Sequence, residues 1–239
     1  MRAIFPHHVE NELKEAFFDR STRGFFVDVG ANDPKLASQT WHLEQLGWDG
    51  VLIEPQPDLA EELRKFRRTK VYAVACSSPA NAGKSLPLHV AGSPHMTGIH
   101  ASFDPNFAVP DMRRMGVIEV PVKTLDEILI DVKAPVPIDF VSIDVETHEI
   151  EVLEGFDISK WRPRLMLIED LALDLRLHRY ITRRGYKWIR RTGLNGWYVP
   201  ADSPMRVSLF GRFQFLRKHY LATPFRRLRE HSRRWRKKI

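Results

Sequence analysis

The stretch Phe25-Phe26-Val27-Asp28-Val29-Gly30-Ala31-Asn32 decides the fold class. Phe25–Val29 is a short, β-favouring run between Gly24 and Gly30. Such a run reads as a strand buried on both faces, the kind found in parallel sheets. Upstream, Val9, Leu13, Ala16 and Phe17 recur at helical spacing and predict a helix over 7–20. Downstream, residues 36–46 predict a helix closed by Gly47, and Val51-Leu52-Ile53 a second buried strand ending at Glu54-Pro55. Residues 57–68 follow as a helix with Leu59, Leu63 and Phe66 on one face, then Val71–Ala75 as a third strand. Strands alternating with helices imply parallel pairing through right-handed crossovers.

Residues 77–116 are rich in Gly, Pro, Ser, His and Asn and read as mostly loop. Loops this long usually carry function, so this one is expected to be a substrate-side lid bearing His95, Thr97, His100 and Ser102. Val117–Val122 reads as a strand and Leu125–Ile130 as a short helix. Ile138–Ile143 is the fourth core strand, ending at Asp144, before a helix over 148–155 closed by Gly155. Leu165–Ile168 is the fifth, ending at Glu169-Asp170, before a helix over 172–184. Tyr186–Arg190 and Gly196–Val199 pair around Thr192-Gly193-Leu194-Asn195. The expected organisation is an N-terminal helix (1–22), one Rossmann-like α/β domain (23–202) with helices on both faces, and a basic amphipathic tail (203–239).

The 239 residues fit one such domain, and a 43% hydrophobic content supports a real core. Cys76 is the one cysteine, which excludes an intramolecular disulfide and suits a reducing cytoplasm. No apolar run of about 18 residues predicts a membrane span, and the N-terminus lacks an apolar secretory core. The net charge of +7 is uneven. Residues 206–239 hold 12 Lys+Arg and one acid, Glu230, giving +11 and leaving −4 on the other 205. Such asymmetry points to an anionic partner for the tail.

Ligands of open α/β sheets bind outside the carboxyl ends of the strands. Here those ends carry Asp28-Val29-Gly30-Ala31-Asn32, Glu54-Pro55, Ala75-Cys76, Asp144-Val145-Glu146 and Glu169-Asp170. Four of the five ends are acidic. Gly30 lets the backbone pass close to a ligand. A G-x-G-x-x-G pattern is missing, which argues against a dinucleotide pyrophosphate. Asp28 repels phosphate and attracts an ammonium group, and Glu54 can accept hydrogen bonds from ribose hydroxyls. A ligand with a ribose, no phosphate and a cationic amino-acid moiety fits, and S-adenosylmethionine is one.

Val27-Asp28-Val29-Gly30-Ala31-Asn32, Leu52-Ile53-Glu54-Pro55 and the long stretch Asp139–Gly155, containing Asp144-Val145-Glu146-Thr147-His148-Glu149, resemble the FkbM-type methyltransferase family. The resemblance spans roughly residues 24–170 and implies a seven-stranded methyltransferase sheet. It also implies O-methylation, often of sugar hydroxyls in glycans, glycolipids or secondary metabolites. It assigns Asp28, Gly30, Asn32 and Glu54 to the cofactor, with Ala31 and Pro55 beside them. Ala75 and Cys76 fall near its adenine ring, and Asp144 and Glu146 match the acidic pair after the fourth strand. Thr147 stands where the family usually has glycine.

Methyl transfer to a sugar hydroxyl needs a general base or a metal. His148 or Glu146 is the candidate base, with Asp144 beside them. Alternatively, Asp144, Glu169 and Asp170 hold a divalent ion such as Mg²⁺ through hard oxygen ligands. In the tail, Leu209, Phe213, Leu216 and Tyr220 recur on one helical face among basic residues. This pattern suits an interfacial helix on an anionic membrane, where a lipid-linked glycan acceptor would lie. The expected protein is a cytoplasmic O-methyltransferase at the inner face of a membrane. A nucleic-acid methyltransferase ranks below it, because no Asn/Asp-Pro-Pro-aromatic motif is present, and a non-catalytic cofactor-binding module ranks below that. The sequence does not define the oligomeric state.

Overall fold

The computed structural model describes residues 7–19, 23–92, 99–105, 113–171, 175–225 and 228. The chain begins with α1 (His7–Phe18), β1 (Phe25–Val29), α2 (Trp41–Gln45), β2 (Asp49–Ile53), α3 (Pro57–Phe66) and β3 (Lys70–Tyr72). A second group follows: β4 (Ala75–Cys76), β5 (Ser85–Gly92), β6 (Ile99–Ser102) and β7 (Arg113–Lys123). Then come α4 (Leu125–Asp131), β8 (Phe140–Ile143), α5 (Glu149–Glu154), α6 (Ile158–Trp161), β9 (Leu165–Glu169) and α7 (Arg176–Thr182). β10 (Tyr186–Thr192), β11 (Asn195–Pro200), α8 (Leu209–Phe215) and a π-helical turn over Leu216–Leu221 complete the described chain.

Seven strands form one sheet in the order β10-β11-β9-β8-β1-β2-β3. β1 pairs in parallel with β2 and β8, and only β11 runs antiparallel to its neighbours. This is the α/β architecture expected from the sequence. Side-chain alternation divides the core between the two faces. Val27, Val29, Val51, Ile53, Val141 and Ile143 meet α4–α7 on one face. Phe26, Leu52, Phe140 and Leu167 meet Phe18 of α1, Leu43 of α2 and Leu63 of α3 on the other.

The largest difference from the sequence reading lies in 77–116. The described parts of this supposed loop contain β5, β6 and the start of β7, which join β4 in a second, four-stranded sheet. Leu88, Val120, Val122 and Ala75 give that sheet its own small core. Proline and serine mask the pattern locally, and the strands exist because β5 and β7 pair antiparallel from Ser85↔Pro121 onwards. His95 and Thr97 lie outside the described residues. The expected strand Val71–Ala75 splits, because Ala75 and Cys76 leave β3 to pair with Val122 and Lys123.

The helix expected over 36–46 shrinks to Trp41–Gln45. Asp33 Oδ1 accepts from the amides of Lys35 and Leu36, a turn that competes with helix. Phe66, expected inward, is 56% exposed, with the Lys35 ammonium over its ring. The short α6 escaped the sequence reading; its signal is Asp157, whose carboxylate caps the amides of Ser159 and Lys160.

Candidate active site

The site forms where the carboxyl ends of β1, β2, β8 and β9 converge. After β1, the amides of Gly30 and Ala31 both donate to the Ile53 carbonyl, at 2.9 and 3.1 Å. Gly30 has φ +84°, and a Cβ there would lie 1.9 Å from the Asp144 carbonyl oxygen. Glycine is therefore required by the neighbouring turn, a reason the sequence did not reveal. Ala31 is buried in the core on the α1–α3 side.

Glu54, at the end of β2, grips this turn. Its Oε2 accepts from the Asn32 amide at 2.9 Å and its Oε1 from the Gln56 amide at 2.9 Å. Pro55 between them is half-buried. Burial pushes the Glu54 carboxyl up to about 7, against the pull of those two amides. Asp28 is also buried, and its Oδ2 accepts from Thr40 Oγ1 at 2.6 Å. Burial raises its pKa, while the Thr40 bond and the charges of Arg67 and Lys14 lower it. The Asp28 carboxylate, expected at an ammonium group, is thus bonded to Thr40.

Ala75 lies in the core of the small sheet, whereas Cys76 packs in the main core with Leu125 and Val152. Burial raises the Cys76 thiol pKa far above its ordinary range.

The turn after β8 carries most of the acids. The Asp144 amide donates to the Val29 carbonyl at 3.0 Å, locking this turn to β1. Glu146 and Thr147 follow with φ +50° and +83°. The Glu149 Oε1 holds them by accepting from the amides of Thr147 (3.1 Å) and Val145 (3.4 Å). Burial lifts the Glu149 carboxyl to about 8, and the Asp144 charge adds to the shift. From the second sheet, Ser102 Oγ donates to the Glu146 carbonyl at 2.7 Å.

Carboxylate oxygens of Asp144, Glu146 and Glu169 lie within 4.8 Å of one another. Asp144 is exposed, Glu146 half-buried and Glu169 buried. Burial holds the Glu169 pKa well above the usual carboxylate range, reinforced by the charges of Asp144, Glu146 and Glu149. Three such oxygens could share protons or hold a hard cation. The cation set expected from sequence included Asp170 instead of Glu146. Asp170 faces Arg191, whose guanidinium lies 3.8 Å from its carboxylate and also donates to its carbonyl.

His148 sits at the N-terminal boundary of α5. Its Nε2 is 3.0 Å from Ser77 Oγ, which in turn accepts from Asn81 Nδ2 at 3.0 Å. Its Nδ1 stands 3.8 Å from the Glu151 carboxylate, and the Phe103 ring covers it at 4.5 Å. Burial lowers its pKa, which keeps the imidazole neutral near pH 7, although Glu151 acts in the opposite direction. Sequence reasoning missed Ser77, Asn81, Phe103 and Glu149. Only Glu149 had a local signal, as an acid at the start of a helix.

The methyltransferase FkbM domain family matches residues 28–188, well over half of the chain. Among solved structures, the chain is similar to a methyltransferase FkbM from Methylobacillus flagellatus KT, at 18% identity and a TM-score of 0.45. That match covers 74% of this chain and 43% of the other, so the chain spans less than half the length of that relative. It is also similar to a methyltransferase from Geobacter sulfurreducens, at 13% identity and a TM-score of 0.42, over 82% and 80% of the two chains. No curated protein matches. The family match includes the turns after β1 and β8 and the acids that meet between them; the chain belongs to the methyltransferase FkbM domain family.

Proposed function

We propose that this chain is an S-adenosylmethionine-dependent O-methyltransferase acting on a sugar hydroxyl of a glycan, glycolipid or related metabolite. The observation that carries the reading is the Asp144–Glu146–Glu169 cluster, within 4.8 Å, beside the turn that Glu54 holds. The donor set fits the cofactor. A carboxylate has about four lone-pair sites. Glu54 gives one to each of the Asn32 and Gln56 amides and another to the Gln56 side chain, leaving acceptor capacity for a ribose hydroxyl. The acidic surroundings of Asp144 complement a cationic methyl donor.

When bound, the cofactor supplies an activated methyl group on a cationic sulfur. The protein has to orient the acceptor and remove its proton. Glu146 is the partly accessible member of the cluster and takes that proton in this reading. Glu169, with its raised proton affinity, shares it. His148 already engages Ser77 through Nε2, so it ties the β8 turn to the residue after β4 instead of serving as the main base.

A second reading gives the same three carboxylates a divalent ion such as Mg²⁺, favoured by their convergence. Incubation with methyl-labelled cofactor and separated glycan, glycolipid and RNA fractions tests the function. Label in an alkali-stable ether of a sugar supports it. Label confined to RNA supports the nucleic-acid alternative, and cofactor binding without transfer to any fraction supports the binding-module alternative.

A further inference from the structure

Helix α8 and the π-helical turn after it meet the domain through one side. A Cβ on Gly211 would stand 3.3 Å from the Ile189 carbonyl oxygen, so this residue lies close against β10. The Gln214 amide accepts from Arg191 N at 3.3 Å and donates to Arg191 O at 3.1 Å. It thereby pairs with the outer edge strand as a neighbouring strand would. Phe215 packs on Trp188 and His178, with ring centroids 5.1 and 4.7 Å away.

Among the described residues nothing covers the opposite side. Leu209, Phe213, Leu216 and Tyr220 are 83%, 57%, 49% and 53% exposed, and Phe210 beside them is 73% exposed. At about 100° per residue, Arg212 and Arg217 flank this stripe, one on each side; both are exposed. The helix belongs to residues 206–239, whose net charge is +11. Arg226, Arg227 and residues 229–239, which contribute much of that charge, lie outside the described residues.

A contiguous apolar stripe rimmed by charge marks an interaction surface. A second copy of the chain would bring +11 against +11 and be repelled. Nucleic acid would satisfy the basic residues but leave Leu209 and Leu216 without a partner. An anionic lipid surface satisfies both sets, with hydrocarbon for the leucines and phenylalanines and headgroup phosphates for the arginines. Among the described residues no helix is long and apolar enough to cross a membrane, so the contact lies along the surface.

We propose that α8 and the turn after it seat this protein on anionic phospholipid through Leu209, Phe210, Phe213, Leu216 and Tyr220. Gln214, Arg191 and Asp170 form a short bonded chain from this helix to the residue after Glu169. If the proposed activity holds, a lipid-borne acceptor is the substrate class this seating favours, whereas the lipid contact does not depend on that activity.

Sedimentation of the full chain with vesicles, without cofactor or acceptor, tests the contact independently of methyl transfer. Partitioning onto an equimolar phosphatidylcholine–phosphatidylglycerol mixture should exceed that onto pure phosphatidylcholine at least about 10-fold and fall with added salt. The triple variant Leu209→Ser, Phe213→Ser, Leu216→Ser alters exposed side chains only. It should keep the wild-type melting temperature and lose at least about 10-fold of the anionic-vesicle binding. Arg212→Glu with Arg217→Glu should abolish the anionic preference as a second check. The proposal is overturned by no binding to either vesicle or by unchanged binding of the triple variant. It is also overturned by self-association, or tight RNA binding, in a chain that ignores vesicles.

Discussion

Gly30 and Asp144 lie in steric contact: any Cβ at position 30 would fall 1.9 Å from the backbone oxygen of Asp144. The turn after β1 and the turn after β8 are therefore one rigid unit, closed also by the Asp144 amide on the Val29 carbonyl. The turn that Glu54 holds and the acid cluster are thereby tied to each other. Gly30→Ala must strain φ +84° and push the two turns apart. A loss of about 2–4 kcal/mol is expected, read by chemical denaturation, with weaker cofactor binding in a calorimetric titration. Wild-type stability and affinity would mean that the turns relax freely.

Thr147 holds φ +83°, where a β-branched residue is strained. Among the described residues its hydroxyl makes only a long contact, to Ser102 Oγ at 3.4 Å. Thr147→Gly should therefore stabilise the fold by about 1 kcal/mol, raising the melting temperature by about 2–4 °C for a chain of this size. A lower melting temperature would show that the Ser102 contact outweighs the strain.

The carboxylate cluster and His148 have separable signatures. Glu146→Gln or Glu169→Gln should lower kcat by about 10²–10⁴-fold with little change in cofactor affinity. His148→Ala should cost less than about 10-fold if its bond to Ser77 is supportive. Equal losses at His148 and Glu146 would return the imidazole to the role of base.

Glu149 is buried with its pKa raised to about 8 from a model-peptide value near 4.5. The folded state therefore retains a proton that the unfolded chain releases. Its contribution to stability is full below about pH 4.5 and is lost as pH rises towards 8. Glu149→Gln should flatten the unfolding free energy over this window, by up to about 1.4 kcal/mol per pH unit. Denaturation at several pH values measures the slope, and an unchanged slope would place the proton elsewhere.

The cation reading of Asp144, Glu146 and Glu169 is decided by chelation. Activity that survives exhaustive treatment with a chelator leaves proton transfer as the role of the cluster. Loss restored by Mg²⁺ assigns the three oxygens to a metal.

How much of this was legible depended on distance along the chain. Phe25–Val29, Asp49–Ile53 and Leu165–Glu169 are strands whose apolar runs and flanking turn residues lie within a few positions. Their order, and the acids at their ends, follow from that local pattern and from the way parallel strands must be connected. The family resemblance rests on the same contiguous stretches. Apolar periodicity also identified the Leu209–Tyr220 face, since spacing alone puts those side chains on one side of a helix.

What tertiary structure decided involves residues far apart. Ser77 meets His148 across 71 positions, and Ser102 meets Glu146 across 44. The second sheet exists through the long-range pairing of β5, whose own composition favours loop, with β7. Sequence named Asp144, Glu146, Glu169 and Asp170 as acids at strand ends. Only packing drew the first three together and turned Asp170 to Arg191. Local propensity sets what each segment becomes. Which side chains share a site is set by burial and by close approaches such as Gly30 on Asp144, which the order of residues does not encode locally.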